Sequence, residues 1–189
     1  MDDPLLDVIA ATVPVLDSVG VPYAITGSVA SSVHGEPCVS ADVDLVVRMT
    51  PQQAERVARD LPERFYRSAD ALCDAATNCS IANLVDTVTG LKVDLSVLSA
   101  TSFHQRVFER REAIALGPNA PAFQFVSPED IVLMKLVWRK DSRSQKQWEN
   151  ALGVVRVQGA RLDWSYLFGQ AVQLGVIEDL KVLRDEAGV

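Results

Sequence analysis

Hydrophobic and polar residues alternate along several stretches of the chain, which is the period-two pattern typical of β-strands. The segment Ser80–Leu98 contains two such arms around Thr89-Gly90 and predicts a β-hairpin. Every second residue from Leu91 to Val97 is apolar, so Asp94 is expected on the opposite face of its strand. Further strands are predicted at Val21–Thr26, at the run that begins with Asp42, and at Ala122–Val126.

Other stretches carry apolar residues at helical spacing. They predict helices at Pro4–Ser18, Val29–His34, Pro51–Leu61, Ser68–Ala76, Thr101–Glu112, from Ser127 onward, and within residues 143–157 and 163–187. A loop is predicted at Gly117–Pro121. The order of these elements predicts an α+β (α/β) fold with a short mixed sheet flanked by helices over residues 1–126. A small helical region over residues 127–189 is expected to pack on that core.

Two aspartates lie close together at the start of one predicted strand. Asp42 and Asp44 are separated by a single apolar residue, so both side chains project from the same face. Adjacent carboxylates repel each other unless one is protonated or a cation lies between them. A divalent metal ion is the simplest explanation for such a pair. Asp94 would join this pair if its strand is a neighbour.

Gly27-Ser28 follows the first predicted strand and leads into a short helix. A strand, a tight turn and a helix N-terminus together present backbone N–H groups at one place, which is favourable for binding an anion. Other chemistries that use an Asp-x-Asp pair fit less well. An EF-hand that begins at Asp42 would require glycine at Val47 and an acid at Gln53, and no Walker A loop is present.

The composition narrows the function classes. The chain has 189 residues, a formal charge of −7 and 48% hydrophobic residues, and no apolar run reaches membrane-spanning length. The net charge argues against a broad nucleic-acid surface, although arginines cluster locally near residues 106–111. The acidic N-terminus does not read as a secretory signal, so a cytoplasmic protein without membrane association is expected. Cys38, Cys73 and Cys79 are expected to be reduced thiols.

The motifs resemble those of the polymerase-β-type nucleotidyltransferase superfamily. The similarity rests on Gly27-Ser28, on Asp42 and Asp44, and on the later strand residue Asp94. Within the superfamily, the chain is most similar to small bacterial AbiEii-like proteins of abortive-infection and toxin–antitoxin systems. In those proteins a Pro-Glu-Asp run precedes a Lys-Leu pair on a helix, and the matching segments here are 128–130 and 135–136.

The resemblance implies an enzyme that moves a nucleoside monophosphate from an NTP to a hydroxyl or phosphate acceptor on RNA, protein or a small molecule. It implies that Asp42 and Asp44 ligate Mg²⁺ (or Mn²⁺), that Asp94 is a third ligand and candidate base, and that Gly27 and Ser28 bind the triphosphate. Lys135 is the candidate for a further phosphate contact, because a lysine in apolar surroundings needs a counter-charge from a phosphate or from Asp44. A toxin-type protein would also have a cognate antitoxin as partner.

One position departs from the family pattern. Two alternative functions also remain open for a chain with this fold. Sequences of that superfamily usually carry a basic residue in the loop before the acidic pair, whereas this chain has Cys38, which cannot supply that charge. A catalytically silent binding module or partner subunit would keep the same fold. An antibiotic-modifying nucleotidyltransferase would need an acidic acceptor pocket for a cationic drug.

Overall fold

The computed structural model describes residues 3–117 and 120–189. In that part of the chain the strands are β1 Tyr23–Ile25, β2 Asp42–Val47, β3 Phe65–Tyr66, β4 Ile81–Asp86, β5 Lys92–Val97, β6 Glu112–Ala115 and β7 Ala122–Phe125. The helices are α1 Pro4–Val19, α2 Gly27–His34, α3 Pro51–Asp60, α4 Ala69–Asn78, α5 Ser102–Glu109, α6 Pro128–Ser142, α7 Gln145–Gln158, α8 Trp164–Leu174 and α9 Ile177–Ala187. The predicted loop at Gly117–Pro121 includes residues 118 and 119, which lie outside the described residues.

These elements form two compact units. Unit 1 contains residues 1–25 and 40–125, and unit 2 contains residues 26–39 and 126–189. The expected change of domain near residue 126 stays a prediction, but residues 26–39 group with the C-terminal helices rather than with the sheet. None of the helices in the described residues is long and apolar enough to cross a membrane.

Unit 1 is built on a mixed sheet in the order β3-β4-β5-β2-β1-β7-β6. The predicted mixed sheet with flanking helices is confirmed. β4 and β5 form the expected antiparallel hairpin, while β2 pairs with β5 in parallel and with β1 in antiparallel orientation. Alternation buries Val43, Leu45, Val93 and Leu95 completely in the core. α1 contacts β2, and α4 contacts β4 and β5.

A buried ion pair links the hairpin of unit 1 to the segment before β3. Asp86 has no exposed side-chain surface, and its carboxylate accepts hydrogen bonds from Arg64 Nε at 2.7 Å and from the Thr89 hydroxyl at 2.6 Å. The backbone N–H groups of Val88 and Thr89 also donate to it. The Arg64 guanidinium is the main reason that the pKa of Asp86 is held far below its usual range.

Unit 2 is helical. The predicted start of α6 is confirmed: the Ser127 hydroxyl caps the helix by accepting a hydrogen bond from Asp130 N at 3.2 Å, and Pro128 is its first residue. α2 contacts both α6 and α7. The approach of α2's end to α7 is close, because a Cβ atom on Gly35 would lie 2.6 Å from the backbone nitrogen of Val154. A glycine is therefore required at residue 35 for this packing.

Candidate active site

The acidic face of the sheet in unit 1 is set by the parallel pairing of β2 with β5. Asp44 is the register partner of Asp94, and Asp42 is the partner of Lys92. Neighbouring strands are about 4.8 Å apart, and residues in register project from the same face. The condition that the sequence left open, that the strands of Asp94 and of the acidic pair are neighbours, is met. All three carboxylates therefore share one face, and all three residues are partly exposed.

Polar neighbours hold two of these carboxylates in place. Asn83, which lies opposite Asp94 on β4, donates an amide hydrogen bond to Asp94 Oδ1 at 2.5 Å. Lys92 Nζ lies 3.3 Å from both oxygens of the same carboxylate. On β2, the Ser40 hydroxyl contacts Asp42 Oδ1 at 3.0 Å. Sequence reasoning did not include Asn83 and Lys92 in the site.

The chemistry of these donors fits a hard divalent cation. Among the described residues, no group of three or more His, Cys, Asp or Glu side chains is already arranged to hold a metal ion. Mg²⁺ in phosphoryl-transfer sites is usually held by one or two carboxylates together with substrate phosphates, and it keeps several waters. Two carboxylates in direct register on neighbouring strands, Asp44 and Asp94, supply such oxygen donors. The roles of Asp42, Asp44 and Asp94 as ligands and catalytic groups stay predictions.

The Gly-Ser motif forms the first turn of α2 in unit 2. The predicted helix start at Val29 is two residues late, because α2 already begins at Gly27. Gly27 has φ +64°, a left-handed conformation that other residues rarely adopt, so the motif requires glycine here. Thr26 does not cap the helix with its side chain, and its hydroxyl instead faces Met134 Sδ at 3.8 Å. The first backbone N–H groups of α2 thus have no side-chain cap from Thr26.

Ser28 and Lys135 are both buried in unit 2. Ser28 is 4% exposed, and the side-chain amide of Asn150 on α7 donates to its hydroxyl oxygen at 3.5 Å. Lys135 is 2% exposed in the middle of α6, and its ammonium lies 5.3 Å from the centre of the Trp138 ring. The phosphate-binding roles of Gly27, Ser28 and Lys135 stay predictions.

Cys38 fixes the loop after α2. Its backbone N–H donates to the Ser32 hydroxyl at 3.0 Å, and its thiol donates to the carbonyl of Ser28 at 3.2 Å. The loop therefore folds back along α2 to the first turn of that helix. Cys38 therefore has a local structural role in this loop. All three cysteines are free thiols, as expected.

The fold of this chain is similar to the folds of nucleotidyltransferase-like proteins of known structure. No protein-family model and no curated protein matches the sequence. Among solved structures, an antigenic nucleotidyltransferase-like protein from Paracoccidioides brasiliensis has a TM-score of 0.54 at 19% identity, covering 97% of this chain and 93% of its own. The antibiotic-resistance factor ANT(2'')-Ia has a TM-score of 0.59 at 13% identity, covering 96% of this chain and 98% of its own. These similarities establish the fold, while the AbiEii-like subtype stays a prediction.

Proposed function

We propose that the protein is a Mg²⁺- or Mn²⁺-dependent nucleotidyltransferase. It would transfer a nucleoside monophosphate from an NTP to a hydroxyl or phosphate acceptor on RNA, protein or a small molecule, with release of pyrophosphate. The register of Asp44 with Asp94 on neighbouring strands is the observation that carries the proposal. The nucleotidyltransferase-like fold supports it independently.

The side chains of the acidic face suit the division of roles in this reaction. Asp42 and Asp44 would hold the metal ion, which supplies charge neutralisation on the phosphates. Asp94 would orient the attacking hydroxyl and accept its proton. Asn83 holds Oδ1 of its carboxylate, and the acceptor would reach Oδ2 by displacing the contact with Lys92 Nζ. Gly27 and Ser28, at the start of α2, would bind the triphosphate through backbone N–H groups.

The test of this proposal is label transfer from each of the four α-³²P NTPs in the presence of Mg²⁺ or Mn²⁺ and a cell extract. Asp44→Asn keeps the shape of the side chain and removes its charge, so transfer is expected to fall at least about 100-fold. Asp74→Asn is the matched control, because Asp74 is an exposed residue of α4 in the same unit. Transfer that persists in Asp44→Asn would refute the assignment.

A second candidate is a catalytically silent module with the same fold. The observation that favours it is the contact of Lys92 Nζ with both oxygens of Asp94, which puts a positive charge beside the predicted metal ligands. An ion pair this exposed contributes little, so a divalent cation could displace it. Mn²⁺ binding followed by electron paramagnetic resonance separates the two candidates. The enzyme requires binding that Asp44→Asn weakens and Lys92→Met strengthens, whereas a silent module shows neither effect.

The resemblance to AbiEii-like proteins supports a toxin-type or abortive-infection role with a cognate antitoxin as partner. Induced expression in a bacterial host is then expected to arrest growth, and Asp44→Asn is expected to abolish the arrest. Growth arrest by both forms would separate toxicity from nucleotidyl transfer.

A further inference from the structure

A cavity of about 410 Å³ lies in unit 1 beyond the end of β2. Its lining includes Arg48, Gln105, Phe108, Glu109 and Arg111. Arg48 follows β2 directly, and Asp44 lies four residues earlier on the same chain segment. At roughly 3.3 Å per residue the two Cα atoms are about 13 Å apart, so the cavity is separate from the acidic face.

Phe108 orients both arginines of the cavity. The guanidinium of Arg48 lies over its ring, 4.8 Å from the centre. The guanidinium of Arg111 donates a hydrogen bond from Nη1 to the backbone carbonyl of Phe108 at 2.8 Å. Both cations are therefore held in one place by the last turn of α5, which lowers the entropy that a bound anion would have to remove.

The side chains that line the cavity have a net positive charge. Among the described residues, neither Arg48 nor Arg111 forms an ion pair with a carboxylate, although both are exposed at the surface of a chain with net charge −7. Two arginines and Glu109 give the lining a charge of +1. The pKa of the nearby His104 imidazole is lowered mainly by burial. The positive charge of Arg48 lowers it further.

We propose that this cavity binds a phosphate group, carried by a small molecule or by a polynucleotide. Guanidinium groups donate paired hydrogen bonds that match the oxygens of phosphate, and Gln105 adds an amide donor. The lining charge of +1 balances a phosphate monoanion or the diester of a nucleic-acid backbone. The cavity is separate from the acidic face. This proposal therefore does not depend on whether the acidic face catalyses nucleotidyl transfer.

Binding is measured with two probes on the full chain: inorganic phosphate, followed by ³¹P NMR line broadening, and a single-stranded RNA 10-mer, followed by fluorescence anisotropy. Arg48→Gln and Arg111→Gln are each expected to weaken phosphate binding about tenfold. Glu109→Gln is expected to tighten it, because it removes the opposing charge. Arg56→Gln, at an exposed position of α3, is the control for net charge and is expected to leave binding unchanged.

Loss of both probes in the two arginine variants supports the site and a polynucleotide source. Loss of phosphate with unchanged RNA binding supports the site and a small-molecule source. The proposal is overturned if phosphate does not bind, if the Arg48 and Arg111 variants bind it like wild type, or if Arg56→Gln weakens binding to the same extent. The opposite sign expected for Glu109→Gln keeps the test decisive even if an arginine variant folds poorly.

Discussion

Gly35→Ala is the sharpest test of the packing in unit 2. The new Cβ atom would lie 2.6 Å from Val154 N and 2.7 Å from the Val154 Cα and Gly153 carbonyl carbon atoms. All three are backbone atoms of α7, so the clash cannot be relieved by the rotation of a side chain. Overpacking of this kind costs about 3 kcal/mol. Alanine also lowers the conformational entropy of the unfolded chain, which stabilises the folded state by about 1 kcal/mol and partly offsets this cost. A net loss of about 2 kcal/mol is therefore expected.

Urea denaturation followed by tryptophan fluorescence measures this loss, because Trp138, Trp148 and Trp164 all belong to unit 2. With a slope of about 2 kcal/mol per M, the midpoint is expected to fall by about 1 M. Gly169→Ala is the matched control in the same unit.

Gly169 lies inside α8, and an added Cβ atom there would meet no described atom within 4 Å apart from its chain neighbours and the backbone of its own helix. Alanine is the better helix former, so this variant is expected to gain up to about 1 kcal/mol. An unchanged midpoint for Gly35→Ala, or equal losses for the two variants, would refute the inferred close approach of residue 35 to α7.

Two further predictions concern an ion pair and a helix cap. Because Arg64 lowers the pKa of Asp86, the stability that this carboxylate contributes is present above its unfolded pKa of about 4 and is lost as the pH falls. In Asp86→Asn, the unfolding free energy is expected to fall less steeply below about pH 5 than in the wild type, as measured by urea titrations with circular dichroism. Parallel pH curves for the two proteins would contradict this prediction. Ser127→Ala is expected to cost about 1 kcal/mol in the fluorescence assay through loss of the α6 cap, whereas the exposed Ser165→Ala should cost little.

Strict local patterns explain what could be predicted from the sequence. The alternation in β2 and in the hairpin, together with the cap-proline start of α6, predicted these elements correctly. β6 was missed, because the predicted helix Thr101–Glu112 took in its first residue and residues 113–115 were left unassigned. This four-residue strand forms through pairing with β7. β3 is two residues long and was missed, since it depends on pairing with β4.

The composition of the acidic face depended on information that no local pattern carries. Asp94 was identifiable as an acid on the polar side of a strand, but its register with Asp44 follows from parallel pairing across about 50 residues of chain. Lys92 and Asn83 are ordinary polar positions of a hairpin until that register is known. The grouping of residues 26–39 with the C-terminal helices likewise depends on contacts distant in sequence.

The discontinuity of unit 2 has a consequence for biosynthesis. α2 ends at residue 34, but its partner α7 ends at residue 158, so more than a hundred further residues must be made before this packing can form. At about 5–20 residues per second, α2 waits roughly 6–25 s for its partners. An eight-residue helix is not stable by itself in water, so the segment remains unfolded during this interval. The Gly-Ser turn can therefore take its final conformation only after nearly the whole chain has been synthesised.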